Sequence, residues 1–126
     1  MLWLYGPCYD EKQLGQLIYN ADLCVAPGNI GLTAMHVMMY GTPALSHNNF
    51  KWQMPEFEAI EEGKTGCFFE QNDVNSMCDA IENWFDNHTD REATRKECYR
   101  VMDTKYNTNV QIEIIKKIGI PMTFLI

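Results

Sequence analysis

Four short apolar runs, separated by stretches with helical spacing, limit what this chain can fold into. The runs are residues 2–5 (LWLY), 23–27 (LCVAP), 43–46 (PALS) and 67–70 (CFFE). Each is too short for a helix and nearly continuous rather than alternating, which is how a strand buried on both faces reads. Gly6-Pro7 stops the first run, and Gly63 and Gly66 frame the last. Between them, Leu14, Leu17 and Ile18 recur at i, i+3, i+4 behind Asp10, predicting a helix over 10–20. A second helix is expected over about 32–40, ended by Gly41, a residue favoured just past a helix C-terminus. Residues 47–66 are polar and irregular, with room for a short helix at 56–61. From Asp73, the positions Val74, Met77, Cys78, Ile81, Trp84 and Phe85 share one helical face, with Asn72 or Asp73 as cap. Two further helices are expected at about 90–104 and 108–118, the second aligning Val110, Ile114, Ile115 and Ile118. Strands that alternate with helices imply an α/β fold, a doubly wound, Rossmann-like parallel sheet covered on both faces.

Composition excludes several classes of function. The 126 residues make about one domain, and a net charge of −7 with only ten Lys and Arg, none clustered, gives no footprint for nucleic acid or an anionic membrane surface. The five cysteines form no C-x-x-C pair, so reduced, structural thiols and a cytoplasmic setting are expected. The start, MLWLYGPC, lacks the basic opening of a signal peptide, and no apolar stretch reaches the roughly 18 residues of a membrane-spanning helix. Because the first residues already read as a strand, the chain is expected to be part of a longer one.

In such sheets ligands bind at the carboxyl ends of the strands, and the run 23–27 hands over there to Gly28-Asn29-Ile30-Gly31. A glycine turn leading into a helix offers backbone N–H groups to a phosphate, yet it also serves as a plain turn. Neither G-x-G-x-x-G nor the Lys-Ser/Thr of a P-loop is present. In the helix that follows, Leu32, Ala34, Met35, Val37, Met38 and Met39 cover most of the circumference, predicting burial between layers. The polar exceptions, Thr33, His36 and Tyr40, fall on one line that Asn29 extends toward the loop. His36 then either bonds a carbonyl in the core or lines a cleft, and its spacing leaves both open. No Ser-His-Asp order, H-E-x-x-H or metal-ligand spacing appears, so no metal is expected.

The stretch YNADLCVAPGNIGLTAMHVMMYGTPAL, with PEFEAIEEGKTGCFFEQNDVNSMCDAIENWF after it, resembles the C-terminal, donor-binding domain of retaining, nucleotide-sugar-dependent glycosyltransferases of the GT-B fold, the family 4 type. Ala21, Asp22, Pro27, Gly31, Leu32, Met38, Gly41 and Pro43 match that pattern. The family's two glutamates do not: Gly28 stands at the first position and His36 at the second. The resemblance implies a single, partial nucleotide-sugar-binding domain over 1–126, with an α/β core at about 1–86, closing helices at about 87–126 and the first strands of the GT-B half missing. It implies donor contacts at Gly28, Asn29, Ile30, Gly31, Leu32, Thr33 and His36, with the diphosphate facing Gly31 and Leu32, the ribose facing position 36 and the sugar facing position 28. His47, Glu56 and Glu58 are implied at the sugar end. No catalytic side chain is assigned.

The implied activity is hexosyl transfer from a nucleoside-diphosphate sugar to a glycan or lipid-linked acceptor, in polysaccharide or glycan biosynthesis. It needs no cofactor beyond the donor, and a missing N-terminal domain would bind the acceptor. The cytoplasm, at most peripherally at the inner face of the membrane, is the expected location. Family members also use an upstream Arg or Lys pair to neutralise the diphosphate, which this sequence lacks; Lys51 and Lys64, the basic residues in the core's loops, read as solvated surface groups. Two other readings remain: a non-catalytic α/β fragment whose sheet edge docks onto another chain, and a sugar-nucleotide epimerase of related fold with His36 and Glu56 as acid and base.

Overall fold

A computed structural model describes residues 2–119. Its chain order is α1 (Glu11–Asn20), β1 (Cys24–Ala26), α2 (Thr33–Met39), β2 (Ala44–His47), β3 (Gly66–Phe69), α3 (Val74–Asn87), α4 (Arg91–Val101) and α5 (Thr108–Lys117). Short 3-10 turns at Phe50–Trp52 and Pro55–Ala59 interrupt the link from β2 to β3, and a π-helical turn at Met102–Tyr106 joins α4 to α5. The three strands are parallel in the order β1-β2-β3, pairing Val25 with Leu45 and Leu45 with Cys67. Asp10, Asp73, Asp90 and Asn107 each accept N–H bonds at the start of their helix, so four helix starts are fixed by side-chain caps.

Alternation along the strands divides the core in two. Ala44, with half-buried Cys24, Ala26 and Phe68, packs against Ala34, Val37 and Met38 of α2 and against Cys98 and Val101 of α4. Leu45, Cys67 and Phe69 point the other way, onto Trp84, Met77, Ala80 and Ile81 of α3. Helices therefore cover both faces of a parallel sheet, as the sequence pattern requires. The buried thiols of Cys67 and Cys98 are both pushed up to about 12 by desolvation, so they stay protonated and act as small hydrophobes. No helix among the described residues is long and apolar enough to cross a membrane.

Two sequence expectations are corrected. Residues 2–5 form no strand: Leu2, Trp3 and Leu4 are 85%, 72% and 84% exposed, and no described strand pairs with them. An apolar run acquires strand geometry only where a neighbouring strand takes its N–H and C=O groups, and here Trp3 and Tyr5 lie instead along α1. The second correction concerns α2, which is not enclosed all round. Ala34, Val37 and Met38 are buried, while Met39 is exposed and Met35 only partly covered, because α4 and the sheet touch one side of the helix. The short helix expected at 56–61 forms one residue earlier, as the 3-10 turn that Pro55 opens. The helix expected at 90–104 is α-helical only to Val101 before the π turn.

Two arginines of α4 lock the layers together at the opposite end from the glycine loop. Arg95, buried, donates to Tyr40 O at 2.6 Å and Tyr19 O at 3.2 Å, and its guanidinium lies 3.8 Å from the centre of the Tyr19 ring. Arg91 donates to Gly41 O at 2.7 Å and Ala21 O at 3.1 Å. These carbonyls close α1 and α2, where cations also meet the negative end of the helix dipole. Gly41 adopts φ +77, and a Cβ there would come within 2.2 Å of Arg95 Cγ, so only glycine permits this packing. Replacing Arg95 with Ala should lower the unfolding free energy in urea by about 2 to 3 kcal/mol, and Arg95→Lys should recover only part, since a point charge lacks the fork. An unchanged urea midpoint for Arg95→Ala would show that the clamp contributes nothing.

Candidate functional site

The chain leaves β1 at its carboxyl end and turns through Gly28, Asn29, Ile30 and Gly31 into α2, with Leu32 as the N-cap. Gly31 has φ +49, so the turn uses the left-handed region there. Gly28 has no such requirement, and a Cβ added to it would meet nothing within 4 Å. The absence of a side chain at 28 is thus not imposed by the fold. Ile30 anchors the loop from below, being 2% exposed.

The loop is fixed by Asn29, which the sequence singled out as a donor contact, and by Gln53 and Ser46, which sequence reasoning passed over. Asn29 Oδ1 accepts from Gly31 N at 3.1 Å and Met54 N at 3.3 Å, and Gln53 Oε1 accepts from Ile30 N at 3.0 Å. Gln53 Nε2 donates to Ser46 Oγ at 2.9 Å and His47 O at 3.1 Å, while Ser46 Oγ reaches back to Ala26 O at 2.8 Å. Two loop N–H groups, those of Ile30 and Gly31, are therefore already satisfied. None of the described residues accepts from the N–H of Asn29 or Leu32, so these remain open to an acceptor that approaches the turn. The signal that could have found Gln53 is chemical: an amide side chain carries donors and acceptors at once, which an irregular loop needs.

His36 is neither in the core nor alone. Its Nε2 lies 3.1 Å from Glu11 Oε1, the ring is partly exposed, and Tyr40 stacks obliquely 5.8 Å behind it. Glu11 opens α1, and in a parallel α/β layer every helix begins at the carboxyl edge of the sheet, so the first turn of one helix borders the start of the next. Thr33 is exposed on the same side of α2, and a Cβ on Gly15 would come within 2.9 Å of the Tyr40 ring, so α1 can approach this face only through glycine. The line Asn29, Thr33, His36 and Tyr40 therefore borders the surface between α1 and α2. Glu11 went unread in the sequence because 25 positions separate it from its partner.

The other sequence-predicted residues are dispersed. His47 is 1% exposed and its Nδ1 accepts from Asn49 N at 3.1 Å, shaping the turn after β2. Glu56 is partly buried, with one carboxylate oxygen fully covered and unpartnered among the described residues. Glu58 is exposed beside Tyr106, whose phenol is pushed up by burial first and then by the Glu58 and Glu56 charges. Lys51 and Lys64 are both exposed. Among the described residues no group of three His, Cys, Asp or Glu converges to hold a metal.

A cavity of about 820 Å³ lies elsewhere, against α3 and the outer edge of β3, walled by Glu62, Asp73, Asp79, Asn83 and Trp84. Two of its acids are committed to the fold. Asp73 caps α3, and Glu62 accepts from Phe68 N at 3.1 Å, covering an edge donor of the sheet. His88 is equally committed, held between Trp84 O at 2.8 Å and Gly63 O at 2.7 Å. The site is thus better placed at the loop after β1, where open N–H groups, an uncommitted glycine and a polar pair meet.

A parallel α/β layer with a glycine turn at a strand's carboxyl end belongs to the broad class of folds that present ligands to backbone amides at that edge. Comparison with known families narrows the class: the model of the family described as glycosyl transferases group 1 matches residues 4–87, and the chain belongs to that family. No curated protein and no solved structure matches it.

The two glycines of the turn should respond differently to substitution. Gly31→Ala should cost about 1 kcal/mol or more of stability, because it forces an alanine into the left-handed region. Gly28→Ala should stay within about 0.5 kcal/mol of the parent. Equal losses for both in thermal unfolding would contradict the geometry assigned to the turn.

Proposed function

We propose that this chain is the donor-binding part of a retaining glycosyltransferase of GT-B architecture, which transfers a hexose from a nucleoside-diphosphate sugar to a glycan or lipid-linked acceptor in polysaccharide or glycan biosynthesis. The observation that carries the reading is the family match across the segment that builds the glycine turn, β2 and the His36–Glu11 pair. In this reading the diphosphate meets the open N–H groups of Asn29 and Leu32, and the ribose meets His36 and Glu11. The sugar extends past Gly28. The acceptor approaches from a separate N-terminal domain, and the enzyme works in the cytoplasm, at most peripherally on the membrane.

The transfer requires little covalent chemistry from the chain. The bond between the anomeric carbon and the diphosphate oxygen breaks, and the diphosphate leaves with the electron pair. The acceptor hydroxyl oxygen then bonds to that carbon and yields its proton to the leaving phosphate. Preorganised donors at the departing oxygen and alignment of the two substrates supply the rate enhancement. No metal or further cofactor is invoked.

The substitution of His36 for an acid alters one contact, since neutral imidazole offers one acceptor and one donor where a carboxylate accepts two hydroxyls. Glu11, 3.1 Å from the ring, returns a carboxylate to the same spot. An epimerase would need His36 and Glu56 as an acid/base pair, but Nε2 of His36 faces Glu11. Calorimetric titration with UDP and GDP should show one of them binding, and His36→Ala should weaken it by about tenfold, the loss of one hydrogen bond. Equal affinity for parent and variant would remove His36 from the site, and no binding of either nucleotide would overturn the donor reading.

A further inference from the structure

We propose that Gln53 is a positioning residue that sets the affinity of the turn after β1 for the donor diphosphate; this rests on the function proposed above. The side-chain amide of Gln53 joins three parts of the carboxyl edge. Its oxygen holds the Ile30 N–H of the turn at 3.0 Å, and its nitrogen holds Ser46 Oγ at 2.9 Å and His47 O at 3.1 Å at the end of β2. Ser46 Oγ carries the connection to Ala26 O at 2.8 Å, the last residue of β1. Next to it in sequence, Met54 N donates to Asn29 Oδ1 at 3.3 Å, so residues 53 and 54 grip the turn at both Asn29 and Ile30.

The consequence is that the turn is shaped before a ligand arrives. A glycine turn left free would sample many backbone states, and ordering one residue costs roughly 1 to 2 kcal/mol. With the N–H groups of Ile30 and Gly31 tied inward, the turn presents a fixed face to an anion, and binding is spared the cost of ordering it. Only an amide serves at position 53. A carboxylate would set a second acceptor against His47 O, and an apolar side chain of equal length would release Ile30 N–H, Ser46 Oγ and His47 O together.

Gln53→Met and Gln53→Glu test this in the full chain with two independent readouts. Amide hydrogen exchange without nucleotide should speed up at Ile30 and Gly31 in both variants, while exchange in α3 stays as in the parent. Titration with whichever of UDP and GDP binds the parent should show about a tenfold higher Kd for both variants. Unchanged exchange at Ile30 and Gly31 would overturn the strap itself, whatever the nucleotide does. Faster exchange with unaltered Kd would overturn the link to affinity and leave the donor reading standing. If the parent binds neither nucleotide, the donor reading fails and the affinity role falls with it, the exchange data then assigning Gln53 a purely structural part.

Discussion

The carboxyl edge depends on β2, four residues long, buried throughout and hydrogen-bonded to a parallel neighbour on each side. Leu45 faces α3, Ala44 faces α2 and α4, and Ser46 and His47 carry the strand's end to the glycine turn through Gln53. The close approach of β3 is part of the same constraint. A Cβ on Gly66 would come within 1.8 Å of Ala44 O, so the sheet closes only because glycine stands there. If β2 shifted by one residue, Ser46 and Leu45 would exchange faces, and the core facing α3 and the anchor of the turn would fail together.

At the far end of the molecule α4 closes α1 and α2 with Arg91 and Arg95. This division suits a binding layer: the helix C-termini are locked by charge-assisted bonds, and the helix N-termini at the carboxyl edge border open space. His36 and Glu11 pair there at the surface. A polar pair so exposed adds little stability.

Most of the fold was legible in the sequence. The periodicity of α1 and α3, the three apolar runs that became β1, β2 and β3, and Gly41 behind α2 all express local chemistry that tertiary packing did not override. Residues 2–5 misled because strand formation depends on a partner that an apolar run cannot reveal. The apolar circumference of α2 misled because the composition of a helix does not say how many neighbours cover it. At the site, the turn itself could be read from its glycines and its place after a strand. Gln53, Ser46 and Glu11 could not, since each acts on residues between 6 and 25 positions away through contacts that only the folded edge creates.

The central claim is that a nucleoside-diphosphate donor docks at the turn after β1 and not in the cavity beside α3. Amide chemical-shift mapping of the isotope-labelled chain during titration with UDP and GDP tests it most directly. The account predicts saturable shifts at Gly28, Asn29, Leu32 and Thr33, together with Glu11 and His36, and none at Asp79, Asn83 or Trp84. Shifts confined to those α3 residues, with the turn unmoved, would contradict it.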